Sequence, residues 1–101
     1  METNNQTLIM GRLGAKPEIA YSQKQEPICK FTVAEKIKDS DEPRWHRVVV
    51  FGKQAELCSA QLDKGWLVFV QGRNVDQEYT NKKGVTKKYL ELRANFVGAN
   101  L

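Results

Sequence analysis

RWHRVVVFGKQAELCSAQLDKGWLVFVQGR, Arg44 to Arg73, is the stretch on which the fold turns. Trp45 to Phe51 is dense in β-branched and aromatic residues, the strongest strand signal in the chain. After Gly52 the pattern changes. Lys53 to Leu62 holds good helix formers with no glycine or proline, and Ala55, Cys58 and Leu62 fall at i, i+3 and i+7 on one face. Gly65 is expected to close this helix, and Trp66 to Gln71 returns as an apolar strand.

Upstream, Thr7 to Leu13 reads as the first strand, with Gly11 and Gly14 where a sheet would curl sharply. Pro17 stops pairing, and Glu18 to Tyr21 is expected to resume the same strand. Between Ile28 and Lys36, Cys29, Phe31 and Val33 alternate with Ile28, Lys30, Thr32 and Ala34. Asp39 to Pro43 is a turn. Downstream, Gly72 permits a coil or bulge, Val75 to Thr80 continues the strand, Asn81 to Val85 has turn chemistry, and Lys88 to Val97 is the last strand. The sum is three strands, a short helix and two strands. The expected fold is therefore all-β, a five-stranded OB-fold barrel with one helix between strands three and four. A chain of 101 residues holds one hydrophobic core, so residues 1–101 are read as a single domain.

Composition narrows the function classes. With 41% hydrophobic and 28% charged residues, neither a disordered nor a fibrous chain fits. The apolar run Trp66 to Val70 is far too short to cross a bilayer, and Met1 to Gln6 lacks the basic and apolar regions of a secretory signal. A cytoplasmic protein with no membrane partner is expected. Sixteen Lys and Arg against twelve Asp and Glu leave a net charge of +4, a mild bias toward anionic partners that concentrates in Lys82, Lys83, Lys87 and Lys88. Cys29 and Cys58 have no CxxC spacing and are expected as buried free thiols. One histidine, no phosphate-binding glycine loop and no zinc-ligand spacing argue against an enzyme, a metal site or a cofactor.

The Trp45 strand carries the chemistry. Trp45, Arg47, Val49 and Phe51 share one side, and His46, Val48 and Val50 the other. Val48 and Val50 suit a barrel interior, whereas Arg47 would need a partner there because an isolated buried charge is costly. The side with Trp45, Arg47 and Phe51 is therefore expected to face outward. Two aromatic rings flanking a guanidinium suit unpaired bases, each stacked base contributing about 1–3 kcal/mol irrespective of sequence. The other reading is that Trp45 and Phe51 pack a core or a subunit interface. In an OB-fold the last hairpin borders the binding groove. Lys82, Lys83, Lys87 and Lys88 would then lie beside Tyr79 and Tyr89, combining stacking with phosphate neutralisation.

LIMGRLGAKPEIAY, RWHRVVVFGKQAEL and LDKGWLVFVQGR resemble, in this order and spacing across nearly the whole chain, segments of bacterial single-stranded DNA-binding proteins. The resemblance implies an OB-fold that assembles as a homotetramer, with a dimer also open. It implies sequence-independent binding of single-stranded DNA in replication, recombination and repair, close to the bacterial nucleoid. By position it makes Trp45 and Phe51 stacking residues and Arg47 a basic contact beside them; Arg73 is a further candidate contact to the strand. It also sets Tyr79 where a stacking tryptophan is common, and His46 at a subunit interface. His46 as a hydrogen-bonded core residue is the competing reading.

Three departures matter. The stretch near Asp39, often aromatic in the family, is short and acidic. Asn74 to Glu78 replaces a usually basic run, so weaker binding is expected, every phosphate left without its cation lowering the logarithmic salt slope by roughly 0.7. The sequence as it stands ends at Leu101 without the flexible linker and acidic tip through which the family recruits other proteins, so recruitment by that route is not expected. Two further readings stay open: a tailless primosomal accessory protein resembling primosomal replication protein N, and a protein-interaction OB module that has lost DNA binding.

Overall fold

The computed structural model describes residues 6–99; the readings of Met1 to Asn5 and of the end at Leu101 lie outside the described residues. Seven elements follow in order: β1 (Gln6–Leu13), β2 (Glu18–Tyr21), β3 (Pro27–Glu35), β4 (Arg44–Phe51), α1 (Lys53–Gln61), β5 (Leu67–Thr80) and β6 (Thr86–Ala99). Pairing runs β1–β5–β6–β4–β3 and closes where β3 meets β1 at Arg12 and Leu13. This closed ring of five strands, with a single short helix, is the OB-fold.

Three expectations are corrected. Glu18–Tyr21 does not resume the first strand. It pairs with β3 from Lys30 to Pro27 as a hairpin, because Pro17 and the bend before it turn the chain out of β1's line. The helix accordingly follows the fourth strand and not the third. Gly65 does not cap the helix either: Leu62 N–H bonds back to Cys58 O, and Gly65, at φ 85°, sits in the separate turn from Asp63 to Trp66.

Strand alternation builds the core. Cys29, Phe31 and Val33 of β3 meet Val48 and Val50 of β4, Ile9 and Leu13 of β1, Val68 and Val70 of β5 and Leu92 of β6. Ala55, Cys58 and Leu62 bring α1 into the same cluster, packed chiefly on β3. Closing so small a barrel demands close backbone approach at two glycines. A Cβ on Gly11 would collide with the Ala34 carbonyl, where β1 bends to reach β3, and one on Gly72 would collide with the Arg93 carbonyl at the bulge between β5 and β6. Beyond that bulge β5 and β6 continue as a two-stranded hairpin, since among the described residues β1 pairs with β5 no further than Arg73 and β4 pairs with β6 only at Leu92 and Arg93.

Candidate nucleic-acid interface

β4 places its side chains as alternation requires. Val48 and Val50 point inward and are buried, while Trp45 (57% exposed) and Phe51 (47%) point outward with Arg47 between them. Six residues along a strand separate the two rings by about 20 Å. Trp45 is nevertheless seated. Its indole lies across Gly14, whose missing Cβ would fall 2.6 Å from the ring's Cζ3.

The hairpin completes the face. Directly opposed residues of an antiparallel pair share a side, so Arg73, Val75, Gln77 and Tyr79 of β5 stand with Arg93, Glu91, Tyr89 and Lys87 of β6. Tyr79 and Tyr89 approach to 6.3 Å between centroids, and the Arg47 guanidinium stacks 4.4 Å over the Tyr89 ring. Arg93 lies 5.6 Å over Phe51 in the same manner. Between the turn after β1, β3, β4 and the hairpin runs a groove of about 450 Å³ lined by Lys16, Glu18, Lys30, Arg47, Tyr89 and Glu91.

Among the basic candidates, Lys87 sits opposite Tyr79 on the groove side. Lys82 and Lys83 occupy the hairpin tip, which is ordered by its own turn: Asn81 Oδ1 accepts from the backbone N–H groups of Lys83 and Val85. Lys88 pairs with Glu78 and points to the reverse side of the hairpin, away from both tyrosines. Lys30, Tyr89 and Arg93 belong to the face although the sequence reading did not single out Lys30 or Arg93. The outward parity of each on its own strand is the only signal the sequence carries for them.

His46 lies apart. It points to the inward side of β4 at the barrel mouth away from the helix, where its Nε2–H donates to Glu35 Oε1 at 2.8 Å. The mouth is a cleft of about 500 Å³ that also takes in Leu8, Leu90 and Asn74. Beside it the outer face of β1, β5 and β6 is apolar: Leu8, Met10, Phe69 and Phe96 are exposed, Met10 opposite Phe69, and the two phenylalanine rings meet edge to face at 6.1 Å. Cys29 and Cys58 are free, buried thiols, as expected. No helix among the described residues is long and apolar enough to cross a membrane.

Residues 4–99 match the model of the single-strand binding protein family. The chain is 34% identical over 98 residues to the single-stranded DNA-binding protein of Neisseria meningitidis serogroup A, an alignment covering 90% of this chain and 56% of that protein. The serogroup B protein gives the same figures. Single-stranded DNA-binding protein 1 of Chlorobaculum tepidum is 35% identical over 92 residues, covering 84% of this chain and 57% of that protein. The chain thus spans little more than half the length of these relatives.

Proposed function

We propose that the chain, which belongs to the single-strand binding protein family, binds single-stranded DNA without reading its sequence and so protects it during replication, recombination and repair. It acts as a binding module and not as an enzyme, in the bacterial cytoplasm at the nucleoid. Bases stack on Trp45, Phe51 and Tyr79, while Arg47, Arg73, Lys82, Lys83 and Lys87 neutralise phosphates. Lys88, on the reverse of the hairpin, contributes only to the general field.

The observation that carries this reading is the exposed pair Trp45 and Phe51 on β4, continued by Tyr89 on the hairpin, with Arg93 stacked over Phe51 and Arg47 over Tyr89. Apolar area of this kind is tolerated in water mainly where something binds. Titration of labelled oligo-dT at low and moderate salt tests it. Trp45→Ala and Phe51→Ala are each expected to weaken binding by about 1–3 kcal/mol with the fold retained; no binding by the wild type at low salt refutes the proposal.

The chain works as a homo-oligomer, a tetramer or a dimer. β1 meets β3 only at Arg12 and Leu13, so among the described residues its edge from Thr7 to Met10 is open toward that side, next to the apolar Leu8, Met10, Phe69 and Phe96. A second copy covers both, and the His46–Glu35 pair at the adjoining mouth comes to lie at the subunit interface. Sedimentation with and without oligo-dT reads the subunit count and the occupancy together; a monomer at all concentrations refutes the assembly.

A further inference from the structure

The outer side of the barrel carries a line of charge that no run of the sequence displays. Register sets Lys30 of β3 beside Val49 of β4, Val49 beside Arg93 of β6, and Arg93 beside Arg73 of β5. Residues paired in this way share a face, so the three cations form a rung at right angles to the strands. Neighbouring strands lie about 4.8 Å apart, which puts Lys30 about 10 Å from Arg93 and Arg73 about 5 Å further on.

Three observations say that the rung is built for an anion. Val49 points outward yet is only 1% exposed and stands outside the core cluster, so side chains of the outer face close over it. No ion pair among the described residues engages Lys30, Arg73 or Arg93. Arg73 and Arg93 oppose each other directly, an arrangement that destabilises a sheet in the absence of a counter-charge. Two carboxylates bound the rung, Glu18 opposite Lys30 and Glu91 one row away beside Arg47.

We propose that Lys30, Arg93 and Arg73 form a phosphate track on which the backbone of the bound strand crosses from the aromatic groove round to β5. The track rests on the reading of the groove as a single-strand site and adds a direction of travel to it, across the strands past Phe51. It also supplies the positive charge missing from Asn74 to Glu78.

The test uses labelled oligo-dT and a labelled abasic oligomer of equal length, titrated with wild type, Lys30→Gln, Arg73→Gln, Arg93→Gln, the triple variant and Lys64→Gln, a control in the turn after α1. Removing one cation from a phosphate flattens the logarithmic salt slope by about 0.7. Between about 50 and 200 mM salt the drop in affinity therefore becomes about 2.6-fold smaller for each single variant and about 18-fold smaller for the triple. The abasic oligomer shows the same slope changes, Lys64→Gln shows none, and Trp45→Ala weakens oligo-dT without altering its slope. Arg73→Gln keeps or raises the melting temperature, since it removes a like-charge pair. Unchanged slopes in all three single variants of a protein that still binds and still needs Trp45 overturn the track and leave the groove standing. Failure of the wild type to bind either oligomer overturns both.

Discussion

Replacing Gly14 with alanine asks whether Trp45 is held in place or merely exposed. The new Cβ would lie 2.6 Å from Cζ3 and 2.9 Å from Cη2 of the indole, and 3.0 Å from Thr32 Oγ1. Carbon atoms settle at about 3.5–4.0 Å, so the ring must retreat by about 1 Å. Thr32 belongs to a strand paired with β4 and yields less than an indole with more than half its surface in water. The ring swings outward, the core keeps its packing, and the folding cost stays at or below the low end of overpacking, about 1 kcal/mol. Binding suffers more. A radial gap of 0.5–1 Å forfeits a quarter to a half of a dispersion contact, and a stacked base contributes about 1–3 kcal/mol, so the loss is about 0.25–1.5 kcal/mol, or roughly 1.5- to 12-fold. Oligo-dT is titrated with Gly14→Ala, Trp45→Ala and the double variant. The alanine at position 14 is expected to weaken binding in the wild-type background and to change nothing further once the indole is gone. Equal losses in both backgrounds, or a collapsed melting temperature with unchanged affinity, would refute the reasoning.

Two further outcomes can be checked by melting. Gln54 reaches from α1 to the end of β6, its Oε1 accepting from Val97 N–H at 2.9 Å, and so covers a strand edge beyond the reach of β4. Gln54→Ala is expected to cost about 1 kcal/mol, lowering the melting temperature by roughly 4–8 °C, with Gln54→Glu recovering most of it because the acceptor remains; alanine melting with the wild type disproves the role. Burial, with a smaller contribution from Cys29, pushes the Cys58 thiol from 9.0 up to about 11, and burial raises Cys29 as well. The fold thus keeps thiol protons that the unfolded chain releases, so this stability is complete below about pH 9 and falls as pH rises toward 11. The decline with pH should be shallower in Cys58→Ala, and identical slopes would exclude the thiol as its source.

How much of this was legible depends on the range of the interaction responsible. Val48 and Val50 inward and Trp45, Arg47 and Phe51 outward follow from alternation within one strand, as do Cys29, Phe31 and Val33 in β3. Ala55, Cys58 and Leu62 follow in the same way from one helix. Glu18–Tyr21 went astray because the residues say that it is extended but not which strand it pairs with. Lys87 and Lys88 looked alike as neighbours in a basic cluster, and parity across the hairpin separates them. Val49 looked outward, and it is, yet it is buried there, which alternation along its own strand does not reveal.

The sequence by itself determined which residues are strand, which face of each strand is apolar, and that a glycine-bent barrel with a basic aromatic hairpin was the outcome. These are properties of neighbouring residues, governed by backbone sterics and burial within a few ångströms of the same segment. The tertiary structure alone decided that Arg47 rests on Tyr89, that Gly14 seats Trp45, and that Lys30, Arg93 and Arg73 stand in one line. Each of these joins residues far apart in the chain, and only strand order and register, set when the barrel closes, bring them together.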